Sequence, residues 1–139
     1  KDHLEDYYHC VITLITGMTT CLLIYYFFPN EQNLRPEAFA HPNILTDIVQ
    51  FIYDSDTHTN VFPSIHDFNA VAIHVALVTS PQIKKIKWLR PASLLLCSLI
   101  CLSTMFLKQH SFLDVIAALL LYLLYATLIY KVIPQWKKE

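Results

Sequence analysis

Two uninterrupted apolar runs dominate the chain: WLRPASLLLCSLICLSTMFL at 88–107 and VIAALLLYLLYATLIY at 115–130. A run of about 20 apolar residues is long enough to cross a bilayer, and only a helix lets such a segment satisfy its own backbone in lipid. A third run covers about 7–28, and a shorter, more polar one lies between Pro63 and Pro81. The expected fold class is therefore all-α: a multi-pass membrane helical bundle forming one membrane-embedded domain over 1–139. Its helices are expected at about 7–28, 64–80, 88–107 and 112–133, with a loop at 29–62. Composition agrees: 55% of residues are hydrophobic and only 15% are charged, against roughly a quarter in globular chains.

Other function classes drop out early. Gly17 is the single glycine, which excludes glycine-rich phosphate loops. A net charge of −1 leaves no nucleic-acid footprint. Cys10, Cys21, Cys97 and Cys101 all fall inside apolar runs without a histidine at ligand spacing, and read as packing residues. The chain begins at Lys1 and its first apolar run lacks a cleavage site, so an N-terminally shortened chain is expected.

Basic residues set the expected orientation. The link PQIKKIKWLRP carries Lys84, Lys85, Lys87 and Arg90, and the tail carries Lys131, Lys137 and Lys138. Two spans separate link and tail, so both belong on the cytoplasmic side. The 29–62 loop, the stretch FPSIHDF and the turn KQHSF then share the extracytoplasmic face.

Three polar clusters are therefore expected to meet at that face. His110 and Asp114 are spaced i, i+4, one turn apart on a helix. A carboxylate that accepts from one imidazole nitrogen frees the other as base or nucleophile. The plainer alternative is an aspartate that caps or pairs within its own helix. His66 follows Pro63-Ser64 at a helix start, where free backbone N–H groups and the dipole favour an anion. Here the plainer alternative is a Ser64 cap with His66 reaching the interface. Arg35 could serve only a loop salt bridge, and Lys108 could be an interfacial anchor. Asp67 and His74 share a stripe of their helix and are expected to form a buried polar pair.

Taken together, FPSIH and STMFLKQHSFLD resemble the second and third signature motifs of the type 2 phosphatidic acid phosphatase superfamily. Pro63, Ser64 and His66 match P-S-G-H; Ser103, His110 and Asp114 match S-R-x5-H-x3-D; Arg35-Pro36 match the end of K-x6-R-P. Three positions depart from the pattern: Phe28 stands for the lysine, Ile65 for the glycine and Thr104 for the arginine. KQH and FIYDSDTHTNVFPSIH are similar to the inositol phosphorylceramide synthase-like branch.

The resemblance implies four membrane helices of an expected six, and the basic-residue count puts the active site on the extracytoplasmic side of a cell membrane. It implies a lipid phosphate or diphosphate substrate hydrolysed through a phosphohistidine on His110. Asp114 would orient His110, and His66 would protonate the leaving oxygen. Arg35, Ser64, Lys108 and Ser103 would bind phosphate, with Lys108 standing in for the missing cations. No cofactor or metal is implied; the partners are membrane lipids, with homo-oligomerisation left open. A lipid head-group phosphotransferase and an inactive membrane scaffold of the same fold are the competing readings.

Overall fold

The computed structural model describes residues 2–132. Ile133, the expected end of the last span, lies outside the described residues with Lys137 and Lys138, as does the Lys131 side chain. The described residues form α1 (Asp2–Phe27), α2 (Ile44–Ser55), α3 (Ile65–Thr79), a 3-10 turn (Ile83–Lys85), α4 (Leu89–Phe106) and α5 (Phe112–Val132). No strand occurs among them; a single antiparallel bridge joins Glu31 to Thr59.

Three helices contain segments long and apolar enough to cross a membrane: Asp6–Phe27, Leu89–Phe106 and Phe112–Ile129. Their outer faces carry large exposed apolar side chains, Leu95, Leu96, Leu120 and Leu123 among them. Contiguous apolar surface of this kind suits lipid and not water. The remaining expected span, α3, has 15 residues. At 1.5 Å per residue it reaches roughly 22 Å, short of a bilayer core of about 30 Å.

α3 is instead the central helix, packed against α1, α4 and α5. Its Phe68 and Ala72 form the core with Ala118 and Tyr122 of α5. The small side chains of Ala72 and Ala118 let the two helices approach. α1 approaches at Gly17, where an added Cβ would stand 1.9 Å from Phe68 Cζ. The chain's single glycine thus lies beneath a fully buried aromatic ring. The central position also explains how α3 tolerates polar residues, because neighbouring helices supply their partners.

Those partners differ from the expected Asp67–His74 pair. His74 Nδ1 lies 2.9 Å from Ser93 Oγ of α4. Asp67 accepts from Thr104 Oγ1 of α4, 3.4 Å from both carboxylate oxygens. Seven residues along a helix span about 10.5 Å, too far for Asp67 and His74 to meet, so each turns to α4. Of the α1 threonines, Thr20 reaches another helix, with its hydroxyl 2.5 Å from Tyr125 Oη. Thr13 and Thr16 donate back to His9 and Ile12 carbonyls of their own helix. All four cysteines are free.

α2 lies within the segment expected to be loop. Asn43 caps it, accepting from Leu45 and Thr46 N–H at 2.9 and 3.2 Å, while Thr46 Oγ1 accepts from Asn43 N–H at 2.8 Å. This reciprocal box satisfies the orphan donors of the first turn.

Candidate active site

The start of α3 is held from three directions. Ser64 is fully buried and its Oγ accepts from Asp67 N–H at 3.3 Å, the capping bond expected of a serine there. Ser64 N–H donates to the Asp114 carbonyl of α5 at 3.4 Å. Tyr25 of α1 donates its hydroxyl to the Pro63 carbonyl at 2.5 Å. These bonds fix His66, in the first turn of α3, against α1 and α5.

His110 is positioned by the way α4 ends. Lys108 N–H donates to Met105 O and Gln109 N–H to Thr104 O, both at 2.9 Å, with Lys108 at φ 52°. This is a Schellman ending, in which glycine usually takes the left-handed position. His110 N–H adds a bond to the same Thr104 carbonyl at 3.1 Å. α5 then opens on a capping box: Asp114 Oδ2 accepts from Ser111 N–H at 2.6 Å, and Ser111 Oγ accepts from Asp114 N–H at 3.4 Å. The turn between the two spans is thereby rigid, and the buried imidazole it carries faces α3.

His66 and His110 meet edge to face, with ring centroids 5.7 Å apart and planes at 64°. Both line a cavity of about 210 Å³ with Tyr25, Asp56, Asn60 and Gln109. His66 is exposed and His110 is 7% exposed. Asp114 Oδ2 lies 3.7 Å from His110 Nδ1, within range of charge but beyond a hydrogen bond, and Nδ1 has no other partner. Burial pushes the His110 pKa below its ordinary value, and His66 adds to this; Asp67, Asp114 and a backbone hydrogen bond with Val61 oppose it. The ring is therefore neutral near pH 7, the state a nitrogen nucleophile needs.

The wall facing the histidines comes from the loop. Asn30 accepts from Val61 and Phe62 N–H at 2.8 and 2.9 Å, and donates to Phe62 O at 3.1 Å. Gln109 Nε2 donates to Asp56 Oδ2 at 2.9 Å, and Gln32 donates to the Gln109 carbonyl. The segment 56–61 is thus held at both ends.

The structure brings together His66, His110, Asp114 and Ser64. It directs the other three elsewhere. Arg35 donates to the Tyr53, Asp56 and Thr57 carbonyls and to the Asp56 carboxylate, the last at 3.3 Å, and lies over the Tyr53 ring. Its guanidinium organises the loop and does not line the cavity. Lys108 is exposed and also outside the lining. Ser103 is exposed, with its hydroxyl donating to Ile100 O at 2.8 Å. Neither lysine nor arginine is among the residues that line the cavity.

Sequence reasoning gave Asp67 a structural pairing with His74, read Thr104 only as a missing arginine and Asp56 only as part of an acidic surrounding, and passed over Gln109 and Tyr25. Asp67 is fully buried, and its carboxylate pushes the His110 pKa up against the lowering by burial. Its hydroxyl partner, Thr104, also supplies the carbonyl that holds His110. The usable signal was a carboxylate directly after His66 in a short central helix.

A family model described as the PAP2 superfamily matches residues 7–138. No curated protein and no solved structure matches the chain.

Proposed function

The chain belongs to the PAP2 superfamily, and from that premise we propose that it is a membrane lipid phosphatase working through a phosphohistidine on His110. Phosphatase or phosphotransferase chemistry on a phosphate substrate goes with the family. The observation that carries the finer reading is the pairing of His66 and His110 at 5.7 Å on one cavity of a bundle with three apolar spans.

In the first step a nitrogen of neutral His110 attacks phosphorus, forming a P–N bond. The P–O bond to the leaving alcohol or phosphate breaks, and protonated His66 gives that oxygen its proton. Asp114, 3.7 Å from Nδ1, stabilises the positive charge the ring gains. In the second step His66, now neutral, takes a proton from water as its oxygen attacks phosphorus. The P–N bond breaks, inorganic phosphate leaves and His110 is restored. The positive end of the α3 dipole, together with protonated His66, supplies positive potential for the phosphoryl oxygens. Arg35 and Lys108 bear on the reaction through loop and turn geometry in this arrangement.

The lipid assignment draws on the apolar exterior of the bundle and on the apolar part of the lining, Val61 and Ile65. The test uses protein in detergent micelles and a lipid phosphate labelled in its phosphate group. Acid-labile label on His110 should accumulate in His66→Ala and be absent from His110→Ala. Full turnover by His110→Ala overturns the proposal. The same experiment in the presence of an alcohol reads the acceptor: label released as inorganic phosphate marks a hydrolase, and label moved to the alcohol marks a transferase.

A further inference from the structure

The end of the bundle away from the histidines holds a second concave site. α3 runs from the histidine cavity to Thr79, and α4 returns from Leu89, so their junction lies one helix length, roughly 20 Å, from His66. The link between them is folded. Lys84 N–H donates to Ser80 O at 3.1 Å, Ile86 N–H to Ile83 O at 2.8 Å, and Leu89 N–H to Ile86 O at 3.1 Å. Between this turn and the last turn of α3 lies a cavity of about 250 Å³.

Lys84, Lys87 and Arg90 line it, with Leu77, Ile83 and Ile86 forming an apolar wall and no acidic residue among the lining. The ion pairs found among the described residues, Arg35–Asp56 and His110–Asp114, lie at the other end. Asp6 of α1 lines an adjoining cavity with Ile83 and makes no ion pair with the three cations. Three like charges around one concavity repel one another, and an anion shared between them removes that cost. The adjacent Trp88 is 69% exposed, as an aromatic anchor at a membrane interface is. Cations at the rim and branched apolar side chains behind them match a phosphate joined to an acyl tail.

We propose that this cavity binds the phosphate headgroup of an anionic membrane lipid, with Lys84, Lys87 and Arg90 on the phosphate oxygens and the apolar wall against the adjoining hydrocarbon. Basic pockets between helices at a membrane surface serve this purpose in other folds. The site stands apart from the chemistry at His110 and does not depend on it. Inorganic phosphate carries the same anion without the tail, so the experiment must separate the two.

Trp136→Phe leaves Trp88 as the single tryptophan, a reporter beside the cavity. The protein is placed in phosphatidylcholine vesicles doped with brominated phosphatidylglycerol or brominated phosphatidylcholine, and Trp88 quenching is titrated. The anionic lipid should quench at a concentration lower by tenfold or more. Each of Lys84→Gln, Lys87→Gln and Arg90→Gln should reduce that preference by about fivefold, and the three together should abolish it. Lys85→Gln removes the same charge outside the lining and should change it by less than about twofold. Equal quenching by both lipids overturns the proposal. So does a Lys85→Gln effect as large as the others, which means diffuse surface charge. Loss of the preference in millimolar inorganic phosphate assigns the cavity to a free anion and overturns the lipid assignment.

Discussion

Gly17→Ala should destabilise the bundle even though alanine is the better helix former. The new Cβ would stand 1.9 Å from Phe68 Cζ, 2.1 Å from Cε1 and 2.7 Å from Cε2, where ordinary contact begins at 3.4 Å. The whole leading edge of the ring is in the way. Phe68 is fully buried and packs edge to face on Tyr122 at 6.2 Å, so the ring has no open side to move into. Overpacking of this kind costs about 1–3 kcal/mol, and this site belongs at the upper end. Helix propensity returns about 1 kcal/mol, leaving a net loss of about 2 kcal/mol. The assay is unfolding in mixed micelles by increasing SDS fraction, followed by circular dichroism. Phe68→Leu in the same protein shortens the opposing side chain, and Gly17→Ala in that background should be neutral or stabilising. The cycle should therefore show a coupling of about 2–3 kcal/mol. If Gly17→Ala is as stable as the wild type, or costs the same with and without Phe68, the close approach of α1 to α3 is wrong.

Lowering pH should weaken the fold through His110. Its folded pKa lies below the ordinary 6.5, so between those two values the unfolded chain binds more protons. Stability from this residue is complete above 6.5 and falls as pH drops through that window; His110→Gln should flatten the dependence in SDS titrations at pH 7 and pH 5. Asp67→Asn removes a charge that raises the His110 pKa, so the acid limb of the pH–rate profile should move to lower pH, and an unmoved limb argues against their coupling. Lys108→Gly relieves a left-handed residue at φ 52° and should stabilise by up to about 1 kcal/mol; unchanged KM would then show that the Lys108 charge does not serve substrate. Arg35→Lys cannot reproduce the fan of bonds to three carbonyls and a carboxylate, and should make the loop a faster target for proteolysis at 56–61 with a loss of about 1–3 kcal/mol.

The three long spans were legible because span length and apolarity are properties of a segment alone. The meeting of His66 and His110 was expected from four alternating spans; α3 is too short for a span, and the rings meet because α4 returns along α3 and ends beside the start that Ser64 marks. α2 was not anticipated, although Asn43 and Thr46 carry a capping box, because the surrounding acids read as loop. The partners of Asp67 and His74 depend on how α3 is rotated against α4, which spacing along one helix does not contain. Arg35 and Lys108 were read by charge, which is only half of what such residues do. The arginine is consumed by backbone carbonyls, and the lysine sits where the chain needs a left-handed turn; neither fact is visible without the fold.

The segment 56–61 forms the front of the histidine cavity like a strap fastened at two buckles. One buckle is Gln109 on the Asp56 carboxylate; the other is Asn30 on the Val61 and Phe62 backbone. Between them Thr57, His58, Thr59 and Asn60 are exposed. Between the buckles its backbone is also stitched to 30–32, through His58 O, Asn60 N–H and the Glu31–Thr59 bridge, and the Val61 backbone bonds His110, so the backbone path is fixed while the side chains of 57–60 stay free to vary. Under the proposed chemistry, substitutions at 57–60 would reshape the mouth of the cavity while the two imidazoles stay where they are.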